Sequence, residues 1–114
     1  MAIFQRRQIE QSWAVVIASV ESEREVPPPR GGEYPGTEYE LKIREVLRGK
    51  PGREVRLFSE HTSGAYPMDV GSTYLAFIRR RDGVAFIDYC GNSGKVTASQ
   101  KLIRELRAAA GKGK

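Results

Sequence analysis

The stretch Gly71-Ser-Thr-Tyr-Leu-Ala-Phe-Ile-Arg-Arg-Arg-Asp-Gly-Val-Ala-Phe-Ile-Asp-Tyr-Cys-Gly-Asn92 decides how the rest of the chain is read. Two runs rich in aromatic and β-branched residues flank Asp82-Gly83. That dipeptide tolerates the positive φ angles of a two-residue type I′ turn, so the stretch predicts a β-hairpin. Such a turn sets the register, with Ile78 opposite Ile87, Ala76 opposite Tyr89 and Leu75 opposite Cys90. It also puts Phe77 opposite Asp88 on the second face, beside Leu75 and Phe86. Neither face is purely polar, so both are expected to be partly covered, as in a curled sheet.

Working outward, Trp13-Ala-Val-Val-Ile-Ala-Ser-Val20 is an almost unbroken apolar run, short for a buried helix and rich in β-branched residues. It predicts a central strand whose polar continuation, Glu21 to Glu25, emerges at an edge. Val26 to Thr37 holds four prolines and three glycines and predicts a mobile loop. Tyr39-Glu-Leu-Lys-Ile-Arg44 alternates, with Tyr39, Leu41 and Ile43 on one face and Glu40, Lys42 and Arg44 on the other. Glu45-Val-Leu47 breaks that alternation and predicts a bulge that bends the strand. After a turn at Gly49-Lys-Pro-Gly52, Glu54-Val-Arg-Leu-Phe58 returns with Val55 and Leu57 inward and Glu54 and Arg56 outward.

Gln5 to Ser12 fits a short helical turn, and Ser59 to Val70 reads as a long polar connection. Thr97-Ala-Ser-Gln100 has capping-box spacing, and Leu102, Ile103, Leu106 and Ala110 form one apolar stripe of a helix that Gly111 ends. That stripe is expected to pack on the sheet. Five strands, one bent hairpin, one tight hairpin and a closing helix together predict a mainly β fold: a small five-stranded OB-like barrel with a C-terminal α-helix, spanning residues 1–114 as one domain.

Composition limits the function classes. A 114-residue chain with 29% charged and 39% hydrophobic residues is an ordinary globular domain that needs neither disulfide nor metal to hold its core. No apolar run is long enough for a membrane helix, and Met-Ala-Ile-Phe-Gln-Arg-Arg-Gln at the start lacks a hydrophobic signal core. The single cysteine, Cys90, excludes an intramolecular disulfide framework and multi-cysteine zinc sites. His61, the one histidine, cannot by itself make a typical zinc site. Ser59, Ser63 and His61 lack the elbow that would position a nucleophile. The glycine-rich turns lack the lysine and spacing of a phosphate loop. The residues therefore predict no catalytic site, no metal and no cofactor. The net charge of +5 serves solubility or an acidic partner equally well.

The apolar first strand, Val46-Leu-Arg-Gly-Lys50, Gly71-Ser-Thr-Tyr-Leu-Ala-Phe77 and Tyr89-Cys-Gly-Asn92 together resemble the netrin-like domain of tissue inhibitors of metalloproteinases and their bacterial relatives. The resemblance covers roughly Trp13 to Cys90. It implies an OB-fold barrel that is usually exported and acts by binding another protein. In that family an N-terminal Cys-x-Cys is tied by disulfides to one cysteine in the loop before the Gly-x-x-Tyr-Leu strand and to another at the end of the next strand. The latter aligns with Cys90, whereas the loop position falls at Gly64 and no cysteine lies near residue 1. The inhibitory chemistry rests on the missing N-terminal cysteine, so it does not carry over.

The resemblance puts the family's contacts on the N-terminal segment and the loop Glu60 to Ala65, so His61, Thr62, Ser63 and Gly64 are the expected protein-binding residues. An alternative partner is nucleic acid, met by basic residues at both hairpin tips: Arg48, Lys50, Arg53, Arg79, Arg80 and Arg81. Against it, the outward residues on the second and third strands, Glu40, Lys42, Arg44, Glu54 and Arg56, provide charge without aromatic stacking. Location stays open: extracellular or periplasmic if an upstream signal has been removed, cytoplasmic if the chain is complete as written.

Overall fold

The computed structural model describes residues 7, 9–28, 34–63, 65–87 and 93–112. The first strand, β1 (Ala14–Val26), is followed by β2 (Gly36–Arg48), β3 (Glu54–Glu60), β4 (Thr73–Arg81), β5 (Val84–Ile87) and β6 (Gly94–Lys95), and then by a helix, α1 (Gln100–Lys112). The strand order is β1-β2-β3-β5-β4-β6, and β1 also pairs with β4. Five strands thus form a ring, as the predicted five-stranded fold requires. All its pairings are antiparallel except β3 with β5, which meet in parallel at Leu57 and Ala85. This seam is the thinnest join in the ring.

The central hairpin turns at Asp82 and Gly83, whose φ angles of 53° and 79° meet the requirement of a type I′ turn. Ile78 pairs with Ile87 and Arg81 with Val84. Further along, Leu75 pairs with Gly94 of β6. The stretch from Ile87 to Gly94 is longer than that from Ile78 back to Leu75, so the two ladders are not in continuous register. Asp88, Tyr89, Cys90 and Asn92, with the pairings predicted for them, lie outside the described residues.

β1 is buried from Ala14 to Val20 because it is covered on both faces. Ala14, Val16, Ala18 and Val20 point into the ring with Leu41, Leu57, Ala76 and Ile78. Val15 and Ile17 point outward with Leu75 and Phe77, where Ile103 and Leu106 of α1 cover them. An unbroken apolar run is what a strand between two cores requires, and this is also why Leu75 and Phe77 can be apolar on the second face. Arg107 fastens the helix to the bent strand, donating from Nε to Glu45 Oε2 at 3.0 Å and from Nη2 to Oε1 at 2.7 Å.

The predicted bend in β2 is present. The register of β1 with β2 shifts between Val15 and Val16, between Ile17 and Ala18, and again between Val20 and Ser22. The first two shifts bracket Glu45 and Val46, where the alternation fails in the sequence. Lys42 pairs with Glu54 and Glu40 with Arg56, so the outer charges of this hairpin face opposite signs.

Four boundaries differ from expectation, the simplest being that the closing helix continues through Gly111 to Lys112 instead of ending at the glycine. The loop after β1 is shorter than Val26 to Thr37, because β1 runs through Val26 and β2 already begins at Gly36. Glycine is needed there: a Cβ on Gly36 would sit 2.3 Å from the Ser59 carbonyl oxygen and 2.6 Å from the Phe58 ring. Ser59 and Glu60 belong to β3 rather than to the following connection. The capping box does not form, since Val96–Ala98 makes a 3₁₀ turn. Ser99 instead starts the helix, its carbonyl accepting from Ile103 N–H at 2.9 Å and its hydroxyl donating to the Lys95 carbonyl at 2.9 Å. The helical turn before β1 is present at residues 9–11, with Ser12 N–H donating to the Ile9 carbonyl at 3.2 Å.

Candidate functional site

β1 sets the geometry of the molecule. Thirteen residues at about 3.3 Å each give a strand of roughly 43 Å, and the longest dimension of the molecule is 42 Å. The predicted site residues divide between the two ends of this strand: the hairpin tips lie by Trp13, just before it, and His61 lies by Glu25, near its close.

At the first end the two hairpin tips converge on Trp13. Its N–H donates to the Ile78 carbonyl at 2.8 Å, so the residue sits where β4 leaves the ring. Arg48 pairs with Val15 across β1, and the turn at Gly49 presses against Trp13: a Cβ on Gly49 would lie 2.5 Å from the Trp13 carbonyl oxygen. The backbone there also has φ of +88°, which glycine accepts and other residues resist. From the other hairpin Arg80 lays its guanidinium over the Trp13 ring at 4.9 Å, and Arg79 and Arg81 lie 5.9 and 5.8 Å from the Phe86 ring. Arg48, Lys50, Arg53, Arg79, Arg80 and Arg81 thus belong to one end of the barrel. Glu54 and Asp82 are the carboxylates within the two tips. The aromatic faces at this end are occupied by arginines.

At the far end the predicted loop comes together with β1 and β2. His61 N–H donates to the Pro35 carbonyl at 3.0 Å. Thr37 donates its hydroxyl to Glu25 Oε1 at 2.8 Å, and its oxygen lies 3.0 Å from His61 Nε2. His61 Nε2 is also 3.0 Å from Glu25 Oε2. One Nε2–H tautomer accounts for all three contacts, since the threonine hydroxyl hydrogen is directed at the glutamate and leaves its oxygen to accept from the ring. The imidazole here ties β3, β1 and β2 together. Because hydroxyl and carboxylate meet the same ring nitrogen, no base is oriented from behind as a relay requires. Thr62 donates its hydroxyl to Glu60 Oε1 at 3.3 Å, and Ser63 is exposed beside it. Gly64 and the N-terminal segment 1–6, both expected at this surface, lie outside the described residues.

Charge at this end is of the opposite sign. Among the described residues, Glu21, Glu23, Glu25, Glu38, Glu40 and Glu60 face two arginines, of which Arg24 is bound to Glu38 at 2.8 Å and Arg56 pairs with Glu40. The Debye length at physiological salt is about 8 Å, so charge groups at opposite ends of a thirteen-residue strand act on partners largely independently.

β1 is also left open here. Its pairing with β4 ends at Ser19 with Thr73 and is extended one step by the Val20 N–H to the Ser72 carbonyl and the Gly71 N–H to the Val20 carbonyl, at 3.0 and 2.8 Å. From Ser22 to Val26 β1 pairs with β2 alone, and among the described residues no strand takes its other edge. This is the edge at which the sequence predicts Glu21 to Glu25 to emerge. The signal was the polar run Glu21 to Glu25, which marks a strand leaving the core.

The connection after β3 is anchored rather than loose. Tyr39 and Tyr74 each accept through their hydroxyls, from Met68 N–H at 3.1 Å and Asp69 N–H at 2.8 Å, and Ser59 Oγ accepts from Tyr66 N–H at 2.8 Å. Tyr66 meets Tyr74 edge to face, and burial raises its hydroxyl pKa above the ordinary tyrosine range. Met68 is buried in the inner core. The cavity beside it, between Tyr39, Leu57, Phe58, Ser59 and Tyr66, holds about 10 Å³, hardly room for one water. This part of the interior therefore has no room for a ligand larger than a water.

Among the described residues no three His, Cys, Asp or Glu side chains are grouped to hold a metal ion, and no helix is long and apolar enough to cross a membrane. No protein-family model matches the chain, and comparison with curated proteins finds no match.

Proposed function

We propose that this chain is a non-catalytic protein-interaction domain that meets its partner through the acidic end of the barrel. The observation that carries this is the junction at Glu25, Thr37 and His61, which fixes the His61 to Ser63 loop beside an open strand edge. The resemblance to netrin-like domains supports the same surface. Affinity capture from extract of the source cells, with bound proteins identified by mass spectrometry, tests it. Replacing His61, Thr62 and Ser63 together by alanine is expected to abolish capture of the partner. Unchanged capture refutes this surface.

A second reading is favoured by the convergence of both hairpin tips on Trp13. Arg48, Lys50, Arg53, Arg80 and Arg81 would take the phosphates of a single-stranded nucleic acid, with charge rather than base stacking supplying the affinity. Five phosphate contacts correspond to a slope of about −3.5 in log K against log salt. A titration of labelled single-stranded DNA and RNA from roughly 50 to 200 mM salt measures it. No salt-dependent binding eliminates the reading.

A further inference from the structure

We propose that the free edge of β1, Ser22 to Val26, is a docking site for an extended, lysine- or arginine-rich strand of another protein, which joins the sheet by backbone hydrogen bonds. This rests on the interaction-domain reading and specifies its mode and the chemistry of the partner.

Two features select the mode. An open strand presents a row of backbone donors and acceptors that a further strand can satisfy, and this edge has that form. It is also held rigid on its other side. Residues 22–26 are paired with Gly36 to Glu40, which are in turn paired with Arg56 to Glu60, and His61 and Thr37 tie the end to Glu25. An incoming strand therefore meets a pre-formed template and spares the cost of ordering one.

Charge selects the occupant. In an antiparallel pairing of two copies centred on Arg24, Glu23 of each would face Glu25 of the other, and like charges directly opposite are unfavourable. The edge is thus protected against its own kind. A strand with lysine or arginine at alternate positions meets Glu23 and Glu25 on one side of the sheet and gains where a second copy loses. Arg24 is already occupied by Glu38, so it does not repel such a strand with an unpaired charge.

The test uses the full chain, isotopically labelled, and the peptide acetyl-Thr-Lys-Val-Lys-Val-Lys-Thr-amide as probe, with amide hydrogen exchange read by NMR. Binding is expected to slow exchange of the outward-facing amides within Ser22 to Val26 by roughly tenfold, the free-energy equivalent of about 1.4 kcal/mol, the size of a single net hydrogen bond. The same peptide N-methylated at alternate residues keeps its charge and loses its donors, so it is expected to give no protection. Glu23→Lys is expected to weaken binding of the parent peptide several-fold while its spectrum keeps the dispersion of the folded core. The inference is overturned if the peptide gives no protection, if the methylated peptide protects equally, or if these edge amides are already protected in the free protein. Should that happen while partner capture still depends on His61 to Ser63, only strand addition falls. Capture that ignores those residues removes the interaction surface itself.

Discussion

Truncating Ile103 to alanine tests whether α1 is part of the core. Ile103 is 2% exposed and packs with Leu106 over Val15, Ile17, Leu75 and Phe77, so removing its outer carbons leaves a void between helix and sheet. Ile→Ala at such sites costs about 2–5 kcal/mol, combining lost transfer energy with the uncollapsed cavity. An exposed position on the helix should collapse around the change, but Ile103 is held between a rigid β1–β4 pair and Leu106, which favours a value of about 3 kcal/mol. A domain of this size has only about 5–15 kcal/mol to lose. The assay is urea unfolding followed by far-ultraviolet circular dichroism, with Arg104→Ala on the exposed side of the same helix as the control. A midpoint lowered at unchanged slope for Ile103→Ala, beside a control within about 0.5 kcal/mol of the parent, is the expected pair of results. A change below about 0.5 kcal/mol in Ile103→Ala would refute the second core and leave the apolar outer face of β1 without an explanation.

Gly36→Ala forces a Cβ against the backbone of Ser59, which cannot swing aside. Thermal unfolding should show a loss of about 1–3 kcal/mol, and the His61 to Thr37 contact should weaken with it. The Arg107 guanidinium holds the Glu45 carboxyl below its ordinary pKa. A depressed folded-state pKa stabilises above the unfolded value and is lost as pH falls through the folded one. The difference in stability between the parent and Glu45→Gln should therefore be present near neutral pH, small because the pair is largely exposed, and should vanish in acid; a difference that grew in acid would contradict the pairing. Arg80→Ala uncovers the Trp13 indole, so the tryptophan emission maximum should move to longer wavelength and quenching by acrylamide should rise, while Arg53→Ala should change neither.

Much of this fold is legible where local chemistry and tertiary need agree. Asp82-Gly83 sets its turn and the Ile78 to Ile87 pairing because few other conformations suit that dipeptide. The alternation of Tyr39, Leu41 and Ile43 and the unbroken run from Ala14 to Val20 each report how many faces are covered. Legibility fails where the outcome depends on distant partners. Thr97-Ala-Ser-Gln100 has the right spacing for a cap, but a 3₁₀ turn takes Val96 to Ala98 and hands the role to Ser99. Tyr66 and Met68 look like scattered apolar residues in a polar connection until the hydroxyls of Tyr39 and Tyr74 draw that backbone over the end of the barrel. The candidate residues at each end could be named one by one. Their separation follows only from the fold, which sets the hairpin tips at the start of β1 and the His61 junction at its end, whereas the open edge is already marked by the polar run Glu21 to Glu25.

Everything in this account depends on β1 being shared by two neighbours and on the ring closing between β3 and β5. The direct measurement is a set of interstrand nuclear Overhauser effects in solution. Contacts are predicted from Val16 to both Val46 and Ala76, and from Leu57 to Ala85 across the parallel seam. Contacts from β1 to β2 without those to β4, or a Leu57 with no contact to Ala85, would describe an open sheet and contradict both the closed ring and the placement of the two charged ends.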